Sequence, residues 1–198
     1  MTRVYFVRHA QPEHDWEEDR TRPLTEEGKK DSAIVLEFLK DKKIDAFYCS
    51  PYKRSMDTIA EAADFFTKEI VTDERLRERE KGLDGNNHGM FWKRWADHNY
   101  HEEGGETIAM VQKRNIAALN EILSDNTDKD IVIGTHGTAL STILNFYDSN
   151  FGCEDFLRII DWMPYIIELD FEGDKLIAKQ EHCHVEKEFN GKQRVDKK

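Results

Sequence analysis

Short apolar runs alternate along the chain with longer segments whose apolar residues recur at helical spacing. The runs at residues 4–7, 44–49 and 130–133 are rich in β-branched and aromatic residues, as buried strands are. Between them, apolar residues recur every three or four positions over residues 34–39 and 56–66. This succession predicts an α/β fold with three layers, in which helices cover both faces of a mainly parallel central sheet.

Polar residues at the segment boundaries predict where the first helices begin. Thr25 precedes two glutamates, which favours a helix capped by the threonine side chain and ending near Lys43. Ser50 and Pro51 predict a second helix directly after the strand at residues 44–49, because serine caps helices and proline suits their first position.

The second half of the chain continues the pattern and ends in a hairpin. We expect the remaining elements to be a short strand at 69–72, a long helix starting near Thr107, a helix reaching residue 146, and two strands at 165–171 and 175–180. Residues 186–198 lack such a pattern and are expected to form a frayed tail.

Residues 83–106 interrupt the periodicity. Phe91, Trp92, Trp95 and Tyr100 lie there among glycines, asparagines and charged residues. A disordered linker is poor in aromatic residues, so this insertion is predicted to be a small cap over a pocket. The alternative for the two tryptophans is packing in the core.

Length and charge restrict the possible functions. The 198 residues suit a single domain, 1–198, with a sizeable core. The 29 basic and 40 acidic residues give a net charge of −11, which opposes general binding to nucleic acid or to an anionic membrane. An anionic ligand must therefore be bound by a local group of cations. The sequence does not indicate an oligomeric state.

Cysteine usage and hydropathy point to the cytoplasm. Cys49, Cys153 and Cys183 are odd in number and widely spaced, which predicts neither a disulfide framework nor a paired-cysteine zinc site. The first strand begins too early for a signal peptide, and no apolar run approaches the ~20 residues of a membrane helix. We expect a cytoplasmic protein.

Basic residues stand where the predicted strands end. Arg8 and His9 follow the first strand, His136 follows the strand at 130–133, and Arg54 lies in the first turns of a helix that follows another strand. Ligands of open α/β sheets bind at the carboxyl ends of the strands, so these side chains are expected to meet.

Such a locally basic pocket in an acidic protein favours phosphate chemistry. Guanidinium groups bind phosphate oxygens bidentately, and a histidine with one free ring nitrogen can attack phosphorus. His9 is the candidate nucleophile. A carboxyl group must supply a proton to the leaving alkoxide, and the charged run at residues 75–80 offers Glu78 and Glu80.

Four motifs together resemble the histidine phosphatase superfamily, the phosphoglycerate-mutase-like proteins. They are Arg8-His9-Ala10, Ser50-Pro51-Tyr52-Lys53-Arg54, Leu76-Arg77-Glu78 and Thr135-His136-Gly137. The resemblance extends from residue 3 to about residue 145 and includes Pro23-Leu24-Thr25-x-x-Gly28 and Gly104-Gly105-Glu106-Thr107. The chain departs from the family pattern at Ala10, usually a glycine, and lacks the asparagine that many members have after the nucleophile.

The resemblance implies roles for the site residues. It implies that His9 is the phosphorylated nucleophile, Glu78 the proton donor, and Arg8, Arg54 and His136 the phosphate-binding group. It implies no metal and no other cofactor. The expected activity is metal-independent hydrolysis of a small phosphorylated substrate.

Two other functions and one other site are alternatives. A phosphoglycerate-type mutase is the alternative enzyme, and a catalytically silent phosphate-binding regulatory module is the alternative of another class. His182, Cys183 and His184 are conceivable ligands of zinc or copper, although no further ligands lie nearby in the sequence.

Overall fold

The computed structural model describes residues 1–83 and 88–187, and its centre is a mixed sheet of six strands. The strands are β1 (Thr2–Arg8), β2 (Ala46–Cys49), β3 (Ile70–Thr72), β4 (Asp130–Thr135), β5 (Trp162–Glu172) and β6 (Lys175–Glu186). Their order in the sheet is β3-β2-β4-β1-β5-β6. The first four strands in this order are parallel, and the β5-β6 hairpin pairs antiparallel with β1.

Helices connect the strands and form the outer layers. They are α1 (Glu26–Leu39), α2 (Lys53–Phe65), α3 (Phe91–Ala96), α4 (Ile108–Asp125), α5 (Gly137–Tyr147) and α6 (Cys153–Ile159). Two short 3₁₀ helices lie at Glu74–Leu76 and His88–Met90. None of the helices in the described ranges is both long and apolar enough to cross a membrane.

The alternating side chains of β1 divide the core between the two faces of the sheet. Tyr5 and Val7 pack with α1 and α2, whereas Val4 and Phe6 pack with α4, α5 and α6. All four side chains are almost fully buried. Because successive residues of a strand point to opposite faces, a continuous apolar run is what a sheet covered on both sides requires. The predicted three-layer α/β fold with a mainly parallel sheet is confirmed.

Two predicted helix boundaries are wrong. α1 begins as predicted, since the Thr25 hydroxyl accepts a hydrogen bond from the Gly28 backbone at 2.9 Å. It ends at Leu39 rather than near Lys43, because the chain then turns to bury Ile44 in the core. α2 is capped by Tyr52 and does not begin directly at Ser50.

The carboxyl-terminal part contains more regular structure than the sequence pattern predicted. α6 lies between the helix that was predicted to reach residue 146 and the hairpin, where no helix was predicted, and both hairpin strands are longer than expected. Glu186, which was assigned to the tail, pairs with Trp162 as the last residue of β6. Residues 188–198 of the predicted tail lie outside the described residues.

The described part of the predicted cap contains a short 3₁₀ helix, His88–Met90, and α3, followed by turns and loops over residues 97–106. α3 packs on α6 through ring contacts of Phe91 and Trp95 with Phe156, at centroid distances of 5.2 and 5.7 Å. Trp95 is 8% exposed and belongs to the core, whereas Trp92 is 45% exposed. Core packing therefore explains Trp95 and does not explain Trp92. Residues 84–87 of the predicted cap lie outside the described ranges.

Candidate active site

Two neighbouring strands place one histidine each at the same level of the sheet. β1 and β4 are parallel with Arg8 opposite Thr135, so His9 and His136 are the next residues on both strands. Their ring centroids are 5.2 Å apart, and both side chains are buried. The structure thus brings together the two histidines that the sequence placed at strand ends.

The hydrogen bond of His9 defines its tautomer. His9 Nδ1 lies 2.7 Å from the carbonyl oxygen of Ala10, and a carbonyl only accepts, so Nδ1 carries the proton. Burial, followed by the charges of Arg54 and Arg8, holds the pKa of His9 well below its usual value. The ring is therefore neutral, and its lone pair is on Nε2.

His136 precedes α5 and is fully buried. Its Nε2 pairs with the Ser50 hydroxyl at 2.7 Å, and its Nδ1 has no hydrogen-bond partner among the described residues. Burial and the nearby Arg54 and His9 keep the pKa of His136 well below its ordinary value. The Ser50 hydroxyl thus contacts His136 and also accepts from the Tyr52 backbone N–H at 3.2 Å, although Tyr52 rather than Ser50 is the N-cap residue of α2. It reaches this position because Cys49 pairs with Gly134 across β2 and β4.

Arg8 lies beneath the first turn of α5. Its Nη1 donates to the Ile159 carbonyl at 2.6 Å, which ties the guanidinium to the end of α6. A Cβ atom at Gly137 would lie 3.2 Å from the guanidinium carbon of Arg8. The glycine of the Thr-His-Gly motif thus leaves room for the arginine.

Arg54 is held from two sides. Its Nη1 donates to the Asp19 backbone carbonyl at 2.6 Å and lies 3.3 Å from Asp19 Oδ1, and its guanidinium lies 5.0 Å from the centre of the Tyr52 ring. The same Asp19 oxygen lies 2.8 Å from Arg22 and 3.8 Å from Lys81. Three cations surround one carboxylate oxygen, so this corner keeps a positive balance.

Glu78 reaches the same helix terminus. Its Oε2 accepts from the Thr138 backbone at 3.0 Å, and its Oε1 accepts from the backbones of Ala139 at 3.1 Å and Arg79 at 2.8 Å. These hydrogen bonds place the Glu78 carboxyl group at the first turn of α5, whose N-cap residue is His136.

Glu80 lies elsewhere. Its carboxylate is 51% exposed, accepts from the Tyr52 hydroxyl at 3.3 Å, and lies 3.5 Å from Arg77 Nε. The structure gives it no contact with α5 among the described residues. Of the two candidate proton donors, Glu78 is the one that contacts the first turn of α5, which follows His136 directly.

A family model of the histidine phosphatase superfamily, branch 1, matches residues 4–175 of this chain. This match covers most of the sequence and all of the residues just described. The chain belongs to the histidine phosphatase superfamily. The resemblance inferred from the four motifs is confirmed, and with it the predicted class of enzyme, a hydrolase of phosphomonoesters of small metabolites.

Comparison with individual proteins supports the assignment to this superfamily. A putative phosphoserine phosphatase 2 of Hydrogenobacter thermophilus is 28% identical over 204 residues, which cover 93% of this chain and 98% of the relative. A 2,3-bisphosphoglycerate-dependent phosphoglycerate mutase of Thermoplasma acidophilum is 46% identical over only 55 residues, 28% of each chain. A phosphoserine phosphatase of Entamoeba histolytica, solved with 3-phosphoglyceric acid, superposes with a TM-score of 0.73 at 21% identity and covers 98% of this chain and 99% of its own.

Two superfamily motifs have a structural explanation at the loop after His9. A Cβ atom at Gly28 would lie 2.3 Å from the Gln11 carbonyl oxygen, so only glycine fits at the end of the Pro-Leu-Thr motif. Thr25 fixes the same carbonyl with its backbone N–H at 3.0 Å. Ala10, which replaces the usual glycine, is fully buried, and its N–H donates to Thr58 Oγ1 at 3.0 Å. The extra methyl group of Ala10 is thus packed inside the protein.

Several supporting residues were not recognised in the sequence. Asp19 lies in a polar stretch with no periodic pattern, and Tyr52 and Thr58 resemble ordinary helix residues. Only Ser50 carried a signal, because serine follows the strand next to the His136 strand, and that signal was interpreted as a helix cap.

The alternative metal site is not assembled in the described part of the chain. His182 pairs with Glu168 at 2.8 Å, and His184 stacks on Trp162 at 3.7 Å. Residues 1–83 and 88–187 contain no group of three or more side chains that could hold a metal ion. The histidines of β6 therefore have separate structural partners.

Proposed function

We propose that this enzyme hydrolyses phosphomonoesters through a phosphohistidine at His9. The observation that carries the proposal is the 2.7 Å hydrogen bond from His9 Nδ1 to the Ala10 carbonyl, because it leaves the lone pair on Nε2. A neutral imidazole with a fixed tautomer is ready to attack without first losing a proton.

Arg8, Arg54 and His136 bind the phosphoryl group in this proposal. The two guanidinium groups carry permanent positive charge. His136 is neutral in the folded protein and has a buried, unpartnered Nδ1. A bound phosphate dianion favours protonation of His136, which then donates to a phosphate oxygen.

Glu78 is the proposed proton donor. Its Oε1 accepts two hydrogen bonds and its Oε2 only one, so Oε2 is the oxygen to carry the proton. His9 Nε2 forms a bond to phosphorus while the bond from phosphorus to the ester oxygen breaks. The leaving oxygen takes the proton of Glu78 and departs as an alcohol.

Water completes the reaction. It attacks phosphorus, the bond between phosphorus and Nε2 breaks, and the proton of the water passes to Glu78. Inorganic phosphate leaves, and His9 and protonated Glu78 are restored. No step of this scheme needs a metal or another cofactor, so turnover is expected to persist in a strong chelator.

The charges of the predicted cap favour hydrolysis over mutase activity. A mutase must retain a bisphosphate and therefore needs cations above the phosphate. The insertion at residues 83–106 contains two basic residues, Lys93 and Arg94. Arg94 binds Glu102, and Lys93 lies 3.9 Å from the Tyr100 ring, so both contact other residues of the insertion.

We also propose which substrates to test first and where in the cell the protein acts. Because relatives are named phosphoserine phosphatases, phosphoserine is the first compound to test, followed by 3-phosphoglycerate. The three cysteines are free, which supports the proposed cytoplasmic location.

The decisive experiment replaces the nucleophile. His9→Ala should lower turnover of an aryl phosphate by at least about 10⁴-fold, and rapid acid-free quenching of the wild-type enzyme should trap a phosphoprotein stable in alkali and labile in acid. His184→Ala, which removes a histidine stacked on Trp162, is the matched control and should stay active. Full activity of His9→Ala would refute the mechanism. Absence of turnover in the wild-type protein, together with binding of phosphate, would favour the silent binding module.

A second experiment separates phosphatase from mutase. The enzyme is incubated with 3-phosphoglycerate and catalytic 2,3-bisphosphoglycerate, and isomerisation and phosphate release are followed together. We expect phosphate release with little isomerisation. Isomerisation much faster than phosphate release would establish the mutase instead.

A further inference from the structure

Glu78 lies in a segment that has no regular secondary structure. After the 3₁₀ helix Glu74–Leu76, residues 77–83 form neither helix nor strand. Leu76 is fully buried and anchors the start of this segment. The position of the proposed proton donor must therefore be fixed by contacts from other elements.

Arg114 on α4 binds the backbone of this segment. Its Nη1 donates to the carbonyl oxygens of Arg75 and Arg77, both at 2.7 Å, and its Nη2 donates to the carbonyl oxygen of Glu78 itself at 3.0 Å. Only a guanidinium has enough donors, in a rigid plane, to hold three carbonyl groups at once. A lysine at this position would lose part of the arrangement.

Glu106 holds Arg114 and continues the network to the other side of Glu78. Its two oxygens accept from Arg114 Nε at 2.9 Å and Nη2 at 2.8 Å. Oε2 also accepts from the Glu80 backbone at 3.0 Å, and Oε1 accepts from Arg77 Nη2 at 3.0 Å. The Glu106 backbone N–H in turn donates to the Glu80 carbonyl at 3.0 Å.

The pair therefore fixes the main chain on both sides of one side chain. Carbonyl groups of residues 75, 77 and 78 bind Arg114, and both backbone polar groups of residue 80 bind Glu106. The Glu78 carboxylate then spans the short remaining distance to the first turn of α5. A displacement of about 1 Å at a catalytic group can reduce a rate about 10²-fold.

We propose that Arg114 and Glu106 are positioning residues for proton donation by Glu78. The inference rests on the proposed function, because it requires Glu78 to be the donor. Its consequence is specific: loss of the pair should slow cleavage of esters whose leaving group needs a proton, and should affect activated esters much less.

The test compares leaving groups. Values of kcat/KM, which report phosphorylation of His9, are measured for p-nitrophenyl phosphate and for an alkyl phosphate that the enzyme accepts. The variants are Glu78→Gln, Arg114→Lys, Glu106→Gln and the double variant Glu78→Gln with Arg114→Lys. Arg3→Lys is the matched control, since it disrupts an arginine pair with Asp170 at the opposite end of β1.

We expect Arg114→Lys and Glu106→Gln to lower the ratio of alkyl to aryl kcat/KM by about tenfold or more. In the Glu78→Gln background, Arg114→Lys should change this ratio no further. Arg3→Lys should leave the ratio unchanged even if it lowers the melting temperature. Circular dichroism checks that each variant is folded. Because Arg114→Lys and Glu106→Gln change opposite partners of one pair, either variant suffices for the comparison of leaving groups if the other does not fold.

Two outcomes would overturn the inference in distinguishable ways. If Glu78→Gln changes the ratio but Arg114→Lys and Glu106→Gln lower both kcat/KM values equally, the pair has only a structural role. If Glu78→Gln itself leaves the ratio unchanged, Glu78 is not the donor, and the proposed mechanism fails together with the positioning role.

Discussion

Two buried groups of ionisable residues in this protein differ in the kind of partner that they bind. In one, Glu102 and Glu106 bind Arg79, Arg94 and Arg114, so that each carboxylate has at least one arginine partner. In the other, His9 and His136 make their hydrogen bonds with neutral groups, a carbonyl and a hydroxyl.

This difference indicates that the ion network mainly stabilises the fold and that the two histidines mainly act in catalysis. A buried carboxylate surrounded by arginines remains ionised and joins segments of the fold, and removal of one partner leaves an uncompensated charge. Two neutral histidines beside two arginines form instead a region that gains stability when an anion binds. Loss of a partner in the ion network should therefore cost stability, in addition to the effect proposed for Arg114 and Glu106 on Glu78, whereas loss of a histidine should cost activity.

The largest expected effect tests the structural side of this comparison. Glu102→Gln leaves Arg79 and Arg94 buried without their carboxylate, which should reduce the free energy of unfolding by about 3–5 kcal/mol. Urea unfolding measures the loss. Glu26→Gln, which removes an exposed pair with Lys29, is the control and should leave the midpoint unchanged. A stable Glu102→Gln protein would show that the network contributes little to the fold.

The next effect tests the catalytic side. Arg54→Gln removes a proposed phosphate-binding cation and should lower kcat/KM by about 10²–10³-fold, with weaker inhibition by inorganic phosphate. Arg20→Gln is the neighbouring control, because Arg20 lies 5.2 Å from the same Tyr52 ring but pairs with Glu74 on the surface. Equal losses of kcat/KM in the two variants would show that Arg54 has no specific role in phosphate binding.

A third prediction distinguishes the two acids. Glu78→Gln should slow cleavage of alkyl phosphates about 10²-fold more than cleavage of aryl phosphates, the usual scale of general-acid assistance. Glu80→Gln should show no such difference, because Glu80 is directed to Tyr52. The reverse pattern in initial-rate measurements would move the proton donor to Glu80.

The smallest effect concerns pH and follows from the lowered pKa values of His9 and His136. Below about pH 6.5 the unfolded chain binds protons that the folded histidines do not bind, so stability should fall as the pH falls, and this contribution vanishes above that pH. The slope is at most about 1.4 kcal/mol per pH unit for each histidine.

Urea unfolding between pH 7.5 and 5.5 checks this prediction. His136→Asn should have a smaller pH dependence than the wild-type protein, since one of the two buried histidines is absent. A wild-type free energy of unfolding that stays constant or rises over this range would contradict the neutral state of the pair.

The sequence by itself determined the layers of the fold and the basic part of the site. Continuous apolar runs predicted buried parallel strands, and the level at which His9 and His136 meet follows from the fact that each is the first residue after its strand. The structure contains the strands that these local patterns predicted, because a strand that is buried on both faces needs apolar residues along its whole length.

Only the tertiary structure decided how those residues are supported. Asp19 beside Arg54, Ser50 beside His136 and Arg114 beneath Glu78 are contacts across 35, 86 and 36 residues of sequence. No periodic pattern marks such residues, because a hydrogen bond between distant segments depends on where the chain returns in space and leaves no repeat in the sequence. For the same reason, the sequence around Ser50 indicates only a helix cap. Its contact with His136, which follows the neighbouring strand, is visible only in the structure.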